Sequence, residues 1–246
     1  MPPASATAAA TGWPNEPAGF TLLTDYPFND AIGPGQGVAL SGGWSIGNSN
    51  GYVSQLTNRA DAPQSPPNVG QWSYPVGYVG GDAPGTMYFD HPATKEVYAG
   101  FWWEPSNPWQ GHSSEANDIA FWITQSDGIF VMRMLGSGSG PYRTQASFEA
   151  GGSTNYDENV GSSSPLALGQ WHRVEFYVKY ATTATSGDGI VKWWLDGVLL
   201  GSYTTAQTPN DAGFVEFQFS PYWGGVGGTK SEQDYYWYDH VHLSHQ

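Results

Sequence analysis

Residues 189–203 read GIVKWWLDGVLLGSY, and this stretch decides the fold class. Apolar and polar residues alternate on both sides of Asp196-Gly197. Alternation with period two puts one side of each run in a core, which is the pattern of strands rather than helices. Asp-Gly between two such runs predicts a tight hairpin, because both residues tolerate the positive φ that a primed turn requires. Three neighbouring segments repeat the pattern: Trp171–Tyr180 (WHRVEFYVKY), Phe214–Trp223 (FVEFQFSPYW) and Asp234–Ser244 (DYYWYDHVHLS). Each is bounded by Gly, Pro, Asn or Asp. A sheet with aromatic side chains on its second face suits a flat, polar ligand, and sugars are the commonest of these.

Outward from this core, strands are expected at Phe20–Asp25, Gly43–Ile46, Tyr52–Thr57, Thr86–Asp90, Val97–Glu104, Asn117–Thr124, Gly128–Leu135 and Tyr142–Glu149. No segment carries a useful helical period, and there is no internal repeat. Roughly a dozen short strands predict an all-β fold, a jelly roll of two packed antiparallel sheets with a concave groove. Residues 1–19 read as a flexible Pro/Ala/Thr-rich entry and 20–246 as one domain. The Gly- and Pro-rich stretch 26–85 reads as long loops at the rim of a site. Strict alternation would put Asp118, Ala120, Trp122 and Thr124 on one face, opposite Asn117, Ile119, Phe121 and Ile123. It would turn Val215, Phe217 and Phe219 inward, and Glu216, Gln218 and Ser220 outward. In the last strand it would group Tyr236, Tyr238, His240 and His242 against Tyr235, Trp237, Asp239, Val241 and Leu243.

The chain has 246 residues, enough for a sizeable core, and its 12 Trp and 15 Tyr exceed what that core needs. Twenty-two acids against 8 bases give a net charge of −14. Nucleic acid and anionic membrane surfaces are excluded as partners, since phosphate contacts need Lys and Arg. The same charge opposes a strongly anionic polysaccharide at long range. There is no cysteine, and no apolar run long enough for membrane insertion. The N-terminal residues lack the basic start and apolar stretch of a signal peptide and read as a linker left after a leader. The expected location is secreted or cell-surface.

Several features recur in an order that resembles the concanavalin-like β-jelly-roll polysaccharide lyases, above all the alginate and glucuronan lyase types. These are Gln170-Trp171-His172-Arg173-Val174-Glu175, Asp188-Gly189 leading to Trp194-Leu195-Asp196-Gly197, Tyr222-Trp223-Gly224-Gly225 and Tyr236-Trp237-Tyr238-Asp239. The resemblance covers roughly residues 97–244 and implies cleavage of a uronic-acid-containing polysaccharide by β-elimination. Such chemistry needs a group that stabilises the charge developing on the uronate, together with a base and an acid. The alginate type carries a Lys, a Ser-x-Arg and a Tyr-x-Tyr on three strands. Arg133 matches the Arg and Tyr142 the first Tyr, while Asp118, Val131 and Thr144 stand at the Lys, Ser and second Tyr positions. The resemblance thus implies Arg133 as the neutralising group, with His112 and Tyr142 as base and acid. No cofactor is required.

The densest candidate segment runs from Trp102-Trp103-Glu104 to Trp109-Gln110-Gly111-His112. Its indoles are candidates to stack on sugar rings or to pack on the sheet edge. His112 is a candidate catalyst or a histidine satisfied by a backbone carbonyl. Arg133, flanked by apolar neighbours, needs a carboxylate, either the substrate's or that of Asp118. The substrate-binding set comprises Trp103, Glu104, Trp109, Gln110, Asn117, Asp118, Trp122, Glu216, Gln218, Tyr222 and Trp223. Glu216 with Asp118 or Glu104 would form a glycoside hydrolase pair at suitable separation. A non-catalytic extracellular glycan-binding module is the other alternative. Asp25, Asp90 and Asp239 are candidate ligands of a structural Ca²⁺, or separate turn and edge aspartates. His240, His242 and His245 read as a solvated face.

Overall fold

The computed structural model describes residues 12–33, 35–49, 51–149, 152–161, 165–183 and 185–246. Sixteen strands follow in order: β1 (Thr21–Tyr26), β2 (Val38–Ala39), β3 (Trp44–Asn48), β4 (Val53–Leu56), β5 (Val69–Tyr74), β6 (Thr86–Thr94), β7 (Glu96–Pro105) and β8 (Ala116–Thr124). They continue as β9 (Ile129–Leu135), β10 (Arg143–Glu149), β11 (Ser153–Asp157), β12 (His172–Lys179), β13 (Gly189–Leu195), β14 (Val198–Ala206), β15 (Phe214–Phe219) and β16 (Asp234–His245). All pair antiparallel in two eight-stranded sheets. The front sheet has the order β11-β10-β9-β8-β15-β6-β3-β2. The back sheet has the order β14-β13-β12-β7-β16-β5-β4, with β1 beside β16. The jelly-roll architecture expected from the strand pattern is the one observed. Asp196 and Gly197, at φ 53° and 82°, form the β13–β14 turn. β5 alternates Gln71 and Ser73 outward with Trp72 and Tyr74 inward, but this short run lies inside the Gly- and Pro-rich stretch read as loops; β11 is a short polar strand without apolar alternation.

The core between the sheets is aromatic. Phe101 and Phe176 of the back sheet meet Phe217 and Phe219 of the front sheet, with ring centroids 5.2–6.3 Å apart. Burying such rings contributes roughly 2–3 kcal/mol apiece. Trp44, Trp72, Trp122 and Tyr238 close the layer, each fully buried.

Three bulges break the strict alternation and correct the faces expected from sequence. In β8 the register shifts between Asp118 and Ala120. Asp118, Phe121 and Ile123 therefore point outward, while Trp122 turns into the core. In β15 a shift between Phe214 and Glu216 makes Phe214, rather than Val215, the inward residue, and keeps Glu216 and Gln218 outside. In β16 a shift after Asp239, with His240 at φ 49°, leaves Tyr236, Tyr238, Val241 and Leu243 inside. An extra residue flips every side chain beyond it.

Of the segment 1–19 read as a flexible entry, residues 1–11 lie outside the described residues. Residues 12–19 are docked on the back sheet. The Trp13 ring stacks on His242 and packs over Gly100, and Asn15 Nδ2 donates to Glu175 Oε1 at 3.0 Å. Gly100 has no side chain to hold the indole off.

Candidate functional site

The outer face of the front sheet holds a cavity of about 440 Å³. Adjacent strands bring its floor together. Arg133 on β9 stands opposite Asp118 on β8 and Gln145 on β10. Arg133 Nε donates to Asp118 Oδ1 at 3.1 Å, and Nη2 donates to Glu149 Oε1 at 2.7 Å. Arg133 lines the cavity, and among the described residues its Nη1 has no hydrogen-bond acceptor. Tyr222 lies beside Asp118, whose amide donates to the Tyr222 carbonyl. The Tyr222 ring stands edge-on to Phe121, with centroids 5.9 Å apart. Phe121, Ile123 and Ile129 give the floor an apolar strip, and Gln218, Ser114, Ala116, Gly224 and Gly225 complete the lining.

Burial pushes the Asp118 carboxyl up to about 6. The Arg133 charge opposes this and that of Glu149 adds to it. Burial, with Asp82 and Asp118, also raises the Tyr222 phenol, which stays protonated at neutral pH. Two rows along the floor from Arg133, Glu216 of β15 faces Asp90 of β6. Burial lifts the Glu216 carboxyl to about 7, with Gln218 lowering it and Asp90 raising it. The Gln218 amide donates to Glu216.

The structure brings together Arg133, Asp118, Gln218, Tyr222 and Glu216 of the residues singled out from sequence, and sends the others elsewhere. His112 is buried at one end of the sandwich: Nε2 meets the Gly227 carbonyl and Nδ1 meets Ser114 Oγ, both at 2.8 Å. A carbonyl can only accept, so Nε2 carries the proton and Nδ1 accepts from Ser114. Both ring nitrogens are spent on pinning the loop 223–228. A Cβ on Gly224 would fall 1.9 Å from His112 Cγ, so only glycine lets that loop cross the ring. Tyr142 is 2% exposed, precedes β10, and donates its hydroxyl to the Trp109 carbonyl at 2.8 Å. Thr144 is also turned inward, bonded to Trp193 Nε1. The outward residues of β10 are instead Arg143, Gln145, Ser147 and Glu149, in register with outward positions of β9. The match to a tyrosine pair on a cleft strand therefore fails for reasons of face.

Trp103, Trp109, Trp122 and Trp223 are core residues, none more than 2% exposed, and cannot stack on a sugar. Glu104 lies on the outer face of the back sheet, where Arg59 Nη2 binds it. It cannot pair across the cleft with Glu216 or Asp118. The Gln110 carbonyl accepts from Trp223 Nε1 and Lys230 Nζ. The Asn117 side chain is fully buried and donates to the carbonyls of Glu115, Met134 and Gly136.

The three candidate Ca²⁺ ligands are not gathered. Asp90 lies on the front sheet. Asp239 of the back sheet accepts from the Gln64 and Ser65 amides, and Asp25 binds His240, whose Nδ1 meets Ser65 Oγ. Among the described residues no three His, Asp or Glu side chains form a metal-binding group. His242 binds Glu16 at 3.0 Å. Glu149 drew no notice in the sequence, although in-register pairing of β9 with β10 puts it in line with Ile129.

A family model described as polysaccharide lyase matches residues 83–242. Among solved structures, an alginate lyase, Aly36B, in complex with an alginate trisaccharide is 15% identical. The match covers 92% of this chain and all of that one, with a TM-score of 0.69. An endo-β-1,4-glucuronan lyase from the fungus Trichoderma reesei is 17% identical over 92% of this chain and 96% of its own, with a TM-score of 0.56. Domain 4 of AbnA, an extracellular arabinanase from Geobacillus stearothermophilus in complex with arabinotriose, is 13% identical over 92% and 93%, with a TM-score of 0.54. At these identities the likeness is one of fold. No curated protein sequence matches the chain.

Proposed function

The chain belongs to the polysaccharide lyase family, and we propose that it cleaves a uronic-acid-containing polysaccharide by β-elimination in the cavity floored by Arg133. The observation that carries this reading is the arrangement of Arg133, Asp118 and Tyr222. A guanidinium edge faces the cavity, flanked by a carboxylate of raised basicity and a protonated phenol.

Arg133 Nη1 donates to the substrate carboxylate and so stabilises the charge that develops when the α-carbon loses its proton. The free oxygen of Asp118 takes that proton. The C–H electron pair becomes the new double bond, the glycosidic C–O bond breaks, and the Tyr222 hydroxyl protonates the departing oxygen. Asp118 ends protonated and Tyr222 ionised, and exchange with water restores both. The likeness to an alginate-bound lyase and to a glucuronan lyase supports a uronic polymer as substrate. A polymeric substrate supports a secreted or cell-surface location. No helix among the described residues is long and apolar enough to cross a membrane.

Incubation with alginate, glucuronan and hyaluronan, followed by ultraviolet absorbance of the unsaturated product, tests the reading. Absence of signal on every uronic polymer removes it.

One observation favours a second reading, a glycan-binding module without catalysis. Two of the three Arg133 nitrogens are already held by Asp118 and Glu149. Retention in gels containing these polymers, with no product formed, would establish that alternative.

A further inference from the structure

The floor of the front sheet divides its charges unevenly. Around Arg133 a cation is present, with Arg143 further out on β10, 3.9 Å from Asp157. On the outward positions of β15 and β6 there is none among the described residues. Those strands present Glu216 and Gln218, then Thr86, Tyr88 and the exposed Asp90. Asp90 and Glu216 stand directly opposite each other, and among the described residues neither has a Lys, Arg or His ion-pair partner.

The spacing places this pair within reach of the same polymer chain. Arg133 lies on β9, and Glu216 lies two strands away on β15, in the row of Ile123 and Ile129. Strand spacing and rise per residue put the two positions on the order of 15 Å apart, a few sugar rings along a bound chain. A uronate over Asp90 and Glu216 would face two carboxyls with no counter-charge, and like charges so placed repel. An uncharged sugar would offer vicinal hydroxyls, which carboxyl oxygens and the Gln218 amide can hydrogen-bond in pairs.

We infer that Asp90 and Glu216, with Gln218, form a subsite for an uncharged sugar, so that the substrate is a heteropolymer in which uronates are interspersed with neutral rings. This rests on the lyase reading for Arg133 and narrows its substrate class. The raised Glu216 carboxyl fits the same picture, because a carboxyl retaining its proton can donate as well as accept toward a hydroxyl.

The test compares wild type with the double variant Asp90→Asn/Glu216→Gln. The probes are hyaluronan and unsulfated chondroitin, whose uronates alternate with an uncharged N-acetylhexosamine, and glucuronan, whose rings are all charged. The wild type should release unsaturated product faster from the alternating polymers. The double variant should shift the rate ratio toward glucuronan by about tenfold, the scale of one removed like-charge contact. An unchanged ratio, or a wild-type preference for glucuronan, overturns the inference. If the wild type yields no product from any polymer, the lyase reading fails separately, and retention in polymer-containing gels decides the subsite. Gain of glucuronan retention by the double variant supports it, and equal retention of the two proteins overturns it.

Discussion

Arg133 and Asp118 stand opposite each other on β9 and β8, with Nε 3.1 Å from Oδ1, so the cation of the cleft floor is held from one side and open on another. The planar guanidinium can bind Asp118, Glu149 and a third partner at once, and an ammonium cannot reproduce that fork. Arg133→Lys should therefore keep the charge and the fold but lower product formation by roughly 10²–10³-fold, as loss of an oriented charge-stabilising donor does. Initial rates alongside thermal melts check this. A lysine variant with wild-type rate would mean that the guanidinium does not touch the substrate.

Asp118 must be ionised to accept a proton. Its carboxyl is pushed up to about 6 by burial, so activity should rise as pH increases through about 6 and then level off. Asp118→Asn should remove most of the rate and abolish that limb in whatever rate remains. A purely structural Asp118 would lower the rate but leave the limb in place, so the pH profile distinguishes the two roles.

Glu216 offers a test by stability rather than rate. Its folded carboxyl sits at about 7, above the unfolded value, so the folded state holds more protons across the interval between them. Stability should fall as pH rises from about 4.5 to about 7 and stay low above that range. Glu216→Gln should abolish this decline and stabilise the protein at neutral pH by about 1–2 kcal/mol, allowing for screening at a half-buried site shared with Asp90. Urea denaturation at several pH values measures it. A slope unchanged in the variant would assign the decline to other groups.

The fold was legible because its signals are local. Asp196-Gly197 prescribes its own turn, and the alternation around it needs no knowledge of distant residues. The cleft was only partly legible, since a face assignment carried along a strand is lost at the first inserted residue. Asp118 and Trp122 share a face when counted by twos, yet the bulge between Asp118 and Ala120 parts them. Tyr142 and His112 were attractive by residue type. Nothing short of the three-dimensional arrangement shows that the Tyr142 hydroxyl is spent on the Trp109 carbonyl, or that both His112 nitrogens pin a glycine loop. Exposed aromatic side chains were expected from the Trp count. The core absorbs Trp44, Trp72, Trp103, Trp109, Trp122, Trp193 and Trp223, and Trp13, Trp102, Trp171, Trp194 and Trp237 stay partly exposed, none of them in the Arg133 cavity.

Lys230 is sealed from solvent beside the equally sealed Asp234, and the pair makes a stability prediction of its own. The ammonium lies 3.9 Å from the Trp109 ring centroid and 4.9 Å from that of Trp223, and it donates to the Gln110 carbonyl at 2.9 Å. Burial lowers the lysine to about 8, which reflects the cost of removing the cation from water even with a partner present. Removing one member is worse than removing both, because the survivor is left charged in an apolar cage. Lys230→Met should therefore cost about 3–5 kcal/mol, while Lys230→Met/Asp234→Leu should recover a good part of that loss. The recovery is limited by Asp234 Oδ2, which also accepts from the Gln110 amide at 2.9 Å and holds the turn leading to His112. Equilibrium unfolding of the single and double variants gives the comparison directly. If the double variant is no more stable than Lys230→Met, the charge left on Asp234 is not what makes the single substitution costly, and lost contacts with the indole rings account for most of the destabilisation.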